Sequence, residues 1–232
     1  RAHSGKQKIA KFEGAYHGSH DAVEVSSAPP LNKAGSPEMP NAVPAWPGMS
    51  KDSETDIIIL PYNDMESVEA ILTENKDEIA GVFYDGRAGM LDIPVEFSKF
   101  VRKITKDLGI LMIMDEVVSF RAGVGGYQGY AGIEPDLSIF GKVVGGGLPV
   151  GAIGGKSKMM DVVDTTKETG APTVNQSGSF SGNNLTLAAG LATLKAMTPE
   201  AYSHLDNITN QLHVGMEEVF NQANIPCQVI SV

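Results

Sequence analysis

The sequence holds one cysteine, Cys227, in 232 residues. That excludes a disulfide framework and a thiolate-rich metal site within one chain. No uninterrupted apolar run approaches the roughly 20 residues that a membrane-spanning helix needs. Basic residues are in deficit, 18 Lys plus Arg against 28 Asp plus Glu, for a net charge of −10. Such an acidic chain is a poor general binder of nucleic acid or of anionic membranes. No basic-then-apolar leader opens it, and no internal repeat runs through it. These absences lead to an expectation of a soluble protein of a reducing compartment, the cytoplasm.

Two nucleotide-binding signatures are also missing. Gly155-Lys156-Ser157 ends like the phosphate loop G-x-x-x-x-G-K-[ST], but position 150 is Val where that loop needs Gly. Gly123 and Gly125 lead to Gln128, and Gly145 and Gly147 lead to Val150, so G-x-G-x-x-G fails twice.

The length suits one large domain, or one domain with part of a second, able to bury roughly 70% of its unfolded surface. Short apolar runs alternate with amphipathic stretches, the pattern of βα units in a mostly parallel sheet. Strands are predicted at 57–60, 81–84, 110–114, 137–140 and 150–153. Helices are predicted over 95–108, 64–78, 184–197 and 199–222, the second capped by Asn63 with Glu66. Residues 26–53 hold six prolines and read as a surface excursion or loop outside any sheet. The start reads like the tail of a helix, and Cys227–Val232 like a strand stopped midway.

Chemistry concentrates in residues 110–155. Asp115 and Glu116 end an apolar strand, and ligands of open parallel sheets sit beyond the carboxyl ends of the strands. A carboxylate there can hold a cation or a protonated ring nitrogen; opposite charges near 3 Å attract by about 5 kcal/mol at an effective dielectric of 20. Taken alone, the acid is equally a solvated strand end, or the Mg²⁺-holding Asp of a triphosphatase. Lys142 ends the next strand with no acid within three residues, so desolvation would favour its neutral, nucleophilic amine. A lone Lys is more often simply a surface charge. Gly145–Gly147 would let the backbone approach a flat ligand. A buried Asp with a buried Lys is what pyridoxal 5′-phosphate requires. His17-x-x-His20 lacks a third ligand, so no metal site is expected.

Four segments then resemble one family. Asp115-Glu116-Val117-Val118-Ser119-Phe120-Arg121 and Phe140-Gly141-Lys142-Val143-Val144-Gly145-Gly146-Gly147-Leu148-Pro149-Val150-Gly151 are similar to elements of the fold-type I pyridoxal-phosphate enzymes, class III aminotransferase group, glutamate-1-semialdehyde aminomutase-like branch. Phe12–Gly18 and Ser179–Asn183 resemble two more of its elements. The resemblance implies an α/β fold, a mixed but mostly parallel sheet flanked by helices. It implies a large cofactor domain over 1–198 and the start of a smaller C-terminal domain over 199–232. It implies that Lys142 forms the Schiff base and moves a proton, that Asp115 pairs with the ring nitrogen, and that Val117 and Tyr16 cover the two ring faces. His17 is placed beside them, in a structural or substrate-side position. Ser179 would contact the phosphate across a homodimer interface, a role that the helix start after Asn183 also favours. The partner implied is a small amino or oxo substrate, in an aminomutase or an aminotransferase reaction.

The chain departs from the family's pattern in places. Ser179 stands where Thr is usual, Asn184 where Pro is usual, and Asp85-Gly86 where Glu-Pro is usual. The family's chains are about twice as long, so the resemblance implies weak cofactor binding by these 232 residues alone.

Overall fold

The computed structural model describes residues 1–88, 91–166 and 173–230. In chain order the elements are β1 (Lys8–Phe12), β2 (Gly35–Ser36), β3 (Met39–Pro40), α1 (Asp52–Thr55), β4 (Ile57–Leu60), α2 (Met65–Asn75), β5 (Ile79–Tyr84), α3 (Val95–Asp107), β6 (Leu111–Asp115), α4 (Gly126–Ala131), β7 (Leu137–Gly141), β8 (Gly151–Gly155), α5 (Ser157–Met160), α6 (Asn184–Ala196) and α7 (Pro199–Gln222). Six strands form one sheet in the order β4-β1-β5-β6-β7-β8. Every neighbouring pair is parallel except β7 with β8. The mixed, mostly parallel sheet read from the sequence is the one observed.

The core forms on one face of this sheet. Val82, Tyr84, Met112 and Met114 project from β5 and β6 against Val68 and Leu72 of α2, Phe97 and Val101 of α3, and Tyr127 of α4. The side-chain period of two then turns Phe83, Ile113 and Asp115 to the opposite face. Burying each large apolar side chain contributes about 2 kcal/mol. Two hydrogen bonds of 2.6 Å join Tyr84, Ser98 and Tyr127 through their hydroxyls, so no polar atom of this trio is stranded in the core.

The sheet's other end is tied by Asp136. It accepts from Arg102 of α3 at 2.8 Å, from the Met112 backbone N–H at 2.9 Å and from Lys156 at 3.2 Å. These bonds fix α3, β6, β7 and the end of β8 to one another, at the amino end of β7.

The structure corrects several sequence readings. β1 was not among the predicted strands, yet it lies inside the sheet between β4 and β5. The cap of α2 is Asp64, which accepts from Ser67 N at 3.0 Å; Asn63 before it is in a left-handed turn at φ 61° and cannot serve. The 26–53 excursion contains the two-residue pair β2–β3, outside the main sheet. Ser26 pins it by donating to the Asn41 carbonyl at 2.6 Å and accepting from Val43 N at 2.9 Å. Residues 1–5 close one helical turn, with Gly5 N donating to the Arg1 carbonyl at 2.8 Å and Gly5 at φ 71°, the geometry of a helix end. Residues 225–230 form no strand, since none of the described strands pairs with them; Ser231 and Val232 lie outside the described residues. Among the described residues no helix is long and apolar enough to cross a membrane.

Lys11 explains how β1 escaped the sequence pattern. This charged residue is fully buried in an interior strand. Its amine donates to the carbonyls of Ala15 at 2.7 Å and Val25 at 2.6 Å, stitching the start of the loop after β1 to its end, where the excursion begins. Burial pushes its pKa down to about 8, against the opposing pull of Glu24 and Glu13. The unfolded chain therefore binds more protons than the folded one between about pH 8 and 10.4, and Lys11's contribution to stability rises with pH across that window. The stability of the wild type minus that of Lys11→Met, from urea unfolding, is expected to grow by about 2.5 kcal/mol from pH 8 to pH 10.5. A pH-independent difference would contradict the burial of a charged Lys11.

Candidate active site

The carboxyl ends of β5, β6 and β7 lie side by side because the three strands are parallel. Tyr84 of β5 is in register with Met114 of β6, and Asp115 of β6 with Ile139 of β7. The residues that leave these strands are Asp85, Glu116 and Lys142. They share one edge of the sheet, the place where open α/β folds put their ligands.

Asp115 is the fixed point of this edge. Its side chain is 7% exposed. Oδ1 accepts from the Val117 backbone N–H at 3.0 Å, and His17 Nδ1 donates to Oδ2 at 2.7 Å. An ionised carboxylate only accepts, so the proton of this pair lies on the imidazole Nδ1. The topology brings His17 there. The loop after β1 rises beside β5, places the His17 ring 5.4 Å from that of Phe83, and continues to the end of β6. The His17 side chain is wholly buried, and its Nε2 has no hydrogen-bond partner among the described residues.

Glu116 has a different task. It is fully buried and accepts four hydrogen bonds: from Ser119 Oγ at 2.7 Å, Tyr127 N at 3.0 Å, Gln128 N at 2.9 Å and Gln128 Nε2 at 3.3 Å. Its charge satisfies the free N–H groups that open α4. The adjacent acids thus divide, Asp115 toward the open edge and Glu116 into the scaffold.

Lys142 begins a 3-10 turn over Lys142–Gly145 directly after β7. Strand geometry puts it about 10 Å beyond Ile139, the residue paired with Asp115. Val117 covers the interval: its methyl groups pack where a side chain on Gly141 would stand, at 3.3 Å from a Cβ there. Carboxylate, branched apolar side chain and amine therefore follow one another along the same edge.

The expectation of a desolvated Lys142 is not met within this chain, where the residue is exposed. The turn rests on α6 through residues 144–146, which leaves residue 142 on the open side. The three glycines also act differently from the expectation: Gly145 and Gly146 approach Val150 and α6, and only Gly147 faces open space. Tyr16 is 56% exposed, and its hydroxyl pairs with Ser19 at 3.0 Å. Ser179 lies exposed in the turn before α6. Among the described residues no group of three or more His, Cys, Asp or Glu could hold a metal ion.

Asp85 is the residue that sequence reasoning missed. It was noted only as a departure from the family's pattern and not as a site residue, although it follows β5 immediately, as Asp115 ends β6. Burial pushes its carboxyl up to about 6, with the Asp115 charge adding to the effect and the Arg87 N–H bond opposing it. The edge therefore gathers two neighbouring carboxyls, with His17 close to both.

The chain matches the family described as Aminotransferase class-III over residues 1–230. It is 40% identical over 235 residues to glutamate-1-semialdehyde 2,1-aminomutase 1 of Staphylococcus epidermidis, covering 99% of this chain and 52% of that protein. Its fold superposes on the crystal structure of an omega-transaminase from Sphaerobacter thermophilus with a TM-score of 0.93 at 38% identity, covering 100% of this chain and 53% of that one. A structure described as a transaminase with PLP bound gives 0.84 at 31% identity, covering 97% of this chain and 51% of that one. The chain spans about half the length of the curated relatives it matches.

Replacing Glu116 with Ala removes the acceptor for the α4 amides and is expected to lower stability by about 3 kcal/mol, read by urea unfolding. A change below about 0.5 kcal/mol would show that α4 does not depend on this carboxylate.

Proposed function

The chain belongs to the class-III aminotransferase family, and on that premise we propose that it carries the core of a pyridoxal-phosphate-dependent amino-group transfer of the glutamate-1-semialdehyde 2,1-aminomutase type. One observation carries this reading: a buried carboxylate, held by His17 and the Val117 N–H, shares a sheet edge with a lysine amine that none of the described carboxylates pairs. Class-III aminotransferases are pyridoxal-phosphate enzymes, and a structural neighbour is described with PLP bound.

The donor set fits that cofactor. Asp115 would hold the protonated ring nitrogen, with His17 and the Val117 N–H keeping its oxygens in place. Lys142 Nζ would bond the cofactor's carbonyl carbon and carry the proton during transfer. Val117 would pack on one ring face and Tyr16 on the other. His17 Nε2 stays available to a substrate-side group or an ordered water. Ser179 would reach the phosphate of a second subunit, making the working unit a homodimer. Residues 199–232 would begin a smaller domain; none of the residues of α7 is buried. When bound, the cofactor supplies an electron-accepting ring that stabilises negative charge on the carbon losing its proton. We place the reaction on a small amino or oxo substrate in the cytoplasm, in keeping with the single cysteine and the acidic charge.

A second reading is an aminotransferase passing nitrogen from an amino acid or amine to a 2-oxo acid. The fold similarity of 0.93 to an omega-transaminase favours it, as does the Asp115–Arg121 segment. A third, a non-catalytic relative keeping only the fold, is separated from both by Lys142→Ala.

Borohydride reduction in the presence of pyridoxal phosphate, followed by peptide mapping, is expected to label Lys142, and Lys142→Ala is expected to lose that label. A label on other lysines alone, equal in the variant, would contradict the assignment. In unreduced protein supplied with pyridoxal phosphate, formation of 5-aminolevulinate from glutamate 1-semialdehyde supports the aminomutase, and alanine from pyruvate plus an amine supports the aminotransferase.

A further inference from the structure

We propose that Gly190 of α6 is a positioning residue for Lys142: the notch it leaves in the helix receives the Val144 carbonyl and locks the 142–147 turn, so that Lys142 keeps a left-handed backbone. The proposal rests on the role given to Lys142 above.

Lys142 has φ 51° and Gly146 has φ 61°. Gly146 adopts that conformation freely, but a residue with a Cβ does so only when its surroundings impose it. The neighbours of the turn show what imposes it. A Cβ on Gly190 would overlap the Val144 carbonyl oxygen, and a Cβ on Gly146 would overlap the Ala189 carbonyl. Helix backbone and turn backbone thus meet with no side chain between them, at two points one residue apart on α6. On the turn's other side, a Cβ on Gly145 would come within 2.7 Å of Val150 Cγ1. The turn is closed by its own bonds, Gly146 N to Val143 O at 3.1 Å and Leu148 N to Gly145 O at 3.1 Å. It is therefore a rigid unit seated between α6 and the start of β8. Movement of that seat would swing the first residue of the unit, which is Lys142. Gly190 has no conformational need to be glycine, since it lies inside α6 without a positive φ. Glycine in a helix interior is unfavourable relative to Ala, so its place there is explained by the close approach.

The test is a double-mutant cycle that needs no cofactor. A non-glycine residue in the left-handed region is disfavoured enough that Lys142→Gly should exceed Lys142→Ala by about tenfold in the folding equilibrium constant. In a Gly190→Ala background that advantage is expected to shrink below about twofold, because the unseated turn relaxes. Gly215→Ala, in α7 with open space around it, should leave the advantage intact. Persistence of the tenfold advantage in Gly190→Ala would overturn the proposal. In folded Gly190→Ala, borohydride trapping of pyridoxal phosphate on Lys142 should also slow at least tenfold, whereas an unchanged trapping rate would overturn the positioning role. Should Gly190→Ala not fold, native-state hydrogen exchange of the unaltered chain decides. The Gly146 and Leu148 amides are expected to open together with those of residues 187–194. Independent, faster opening of the turn would refute the coupling. Absence of any label on wild-type Lys142 would count against the proposed function alone, since the cycle reads backbone strain without cofactor.

Discussion

A buried charge at the carboxyl edge of a parallel sheet is the constraint around which this molecule is organised. Asp115 is removed from water and has no cation among its protein partners unless His17 is protonated. It is held instead by hydrogen bonds from His17 and the Val117 N–H, the standard requirement for a buried charge. Each partner depends on a different part of the fold. His17 reaches Asp115 because β1 pairs with β5 and its loop crosses that strand. The Val117 N–H is in place because Glu116, beside it, is anchored to α4. Loosening either would leave an uncompensated carboxylate in the crevice.

The same edge concentrates negative charge. Asp85 and Asp115 lie on adjacent strand ends, and burial pushes the Asp85 carboxyl up to about 6, the Arg87 N–H bond opposing this and the Asp115 charge adding to it. A site that keeps two carboxyls together is arranged for a cationic or protonated guest, which lowers the energy of both. Lys142, exposed at the next strand end, supplies the opposite sign, and none of the described carboxylates pairs with it.

Much of this was legible in the sequence, and the exceptions have physical causes. β4, β5, β6 and β7 are apolar on both faces, so their runs stood out, whereas β1 carries two lysines, one of them buried against carbonyls. Long helices α3, α6 and α7 have the predicted spans, but only α3 buries its periodic apolar face; Leu187, Leu191 and Leu194 of α6 are exposed while Thr186 and Gly190 are buried, and no residue of α7 is buried. The α2 cap moved by one residue because Asn63 was needed for a left-handed turn. Asp115 and Lys142 were singled out from strand-end chemistry. The partner of Asp115 was not, because His17 lies 98 residues away and only the sheet order joins them. The glycines after Lys142 suggested a ligand; two of the three serve helix packing instead, a contact invisible without the position of α6.

The claim at the centre, a proton kept on the bound ring by Asp115, is read most directly from the ¹⁵N chemical shift of pyridoxal phosphate labelled at its ring nitrogen. The account predicts a protonated shift in the wild type from pH 6 to 9 and an unprotonated one in Asp115→Ala. A ring nitrogen that is unprotonated in the wild type, or indifferent to Asp115→Ala, would contradict it.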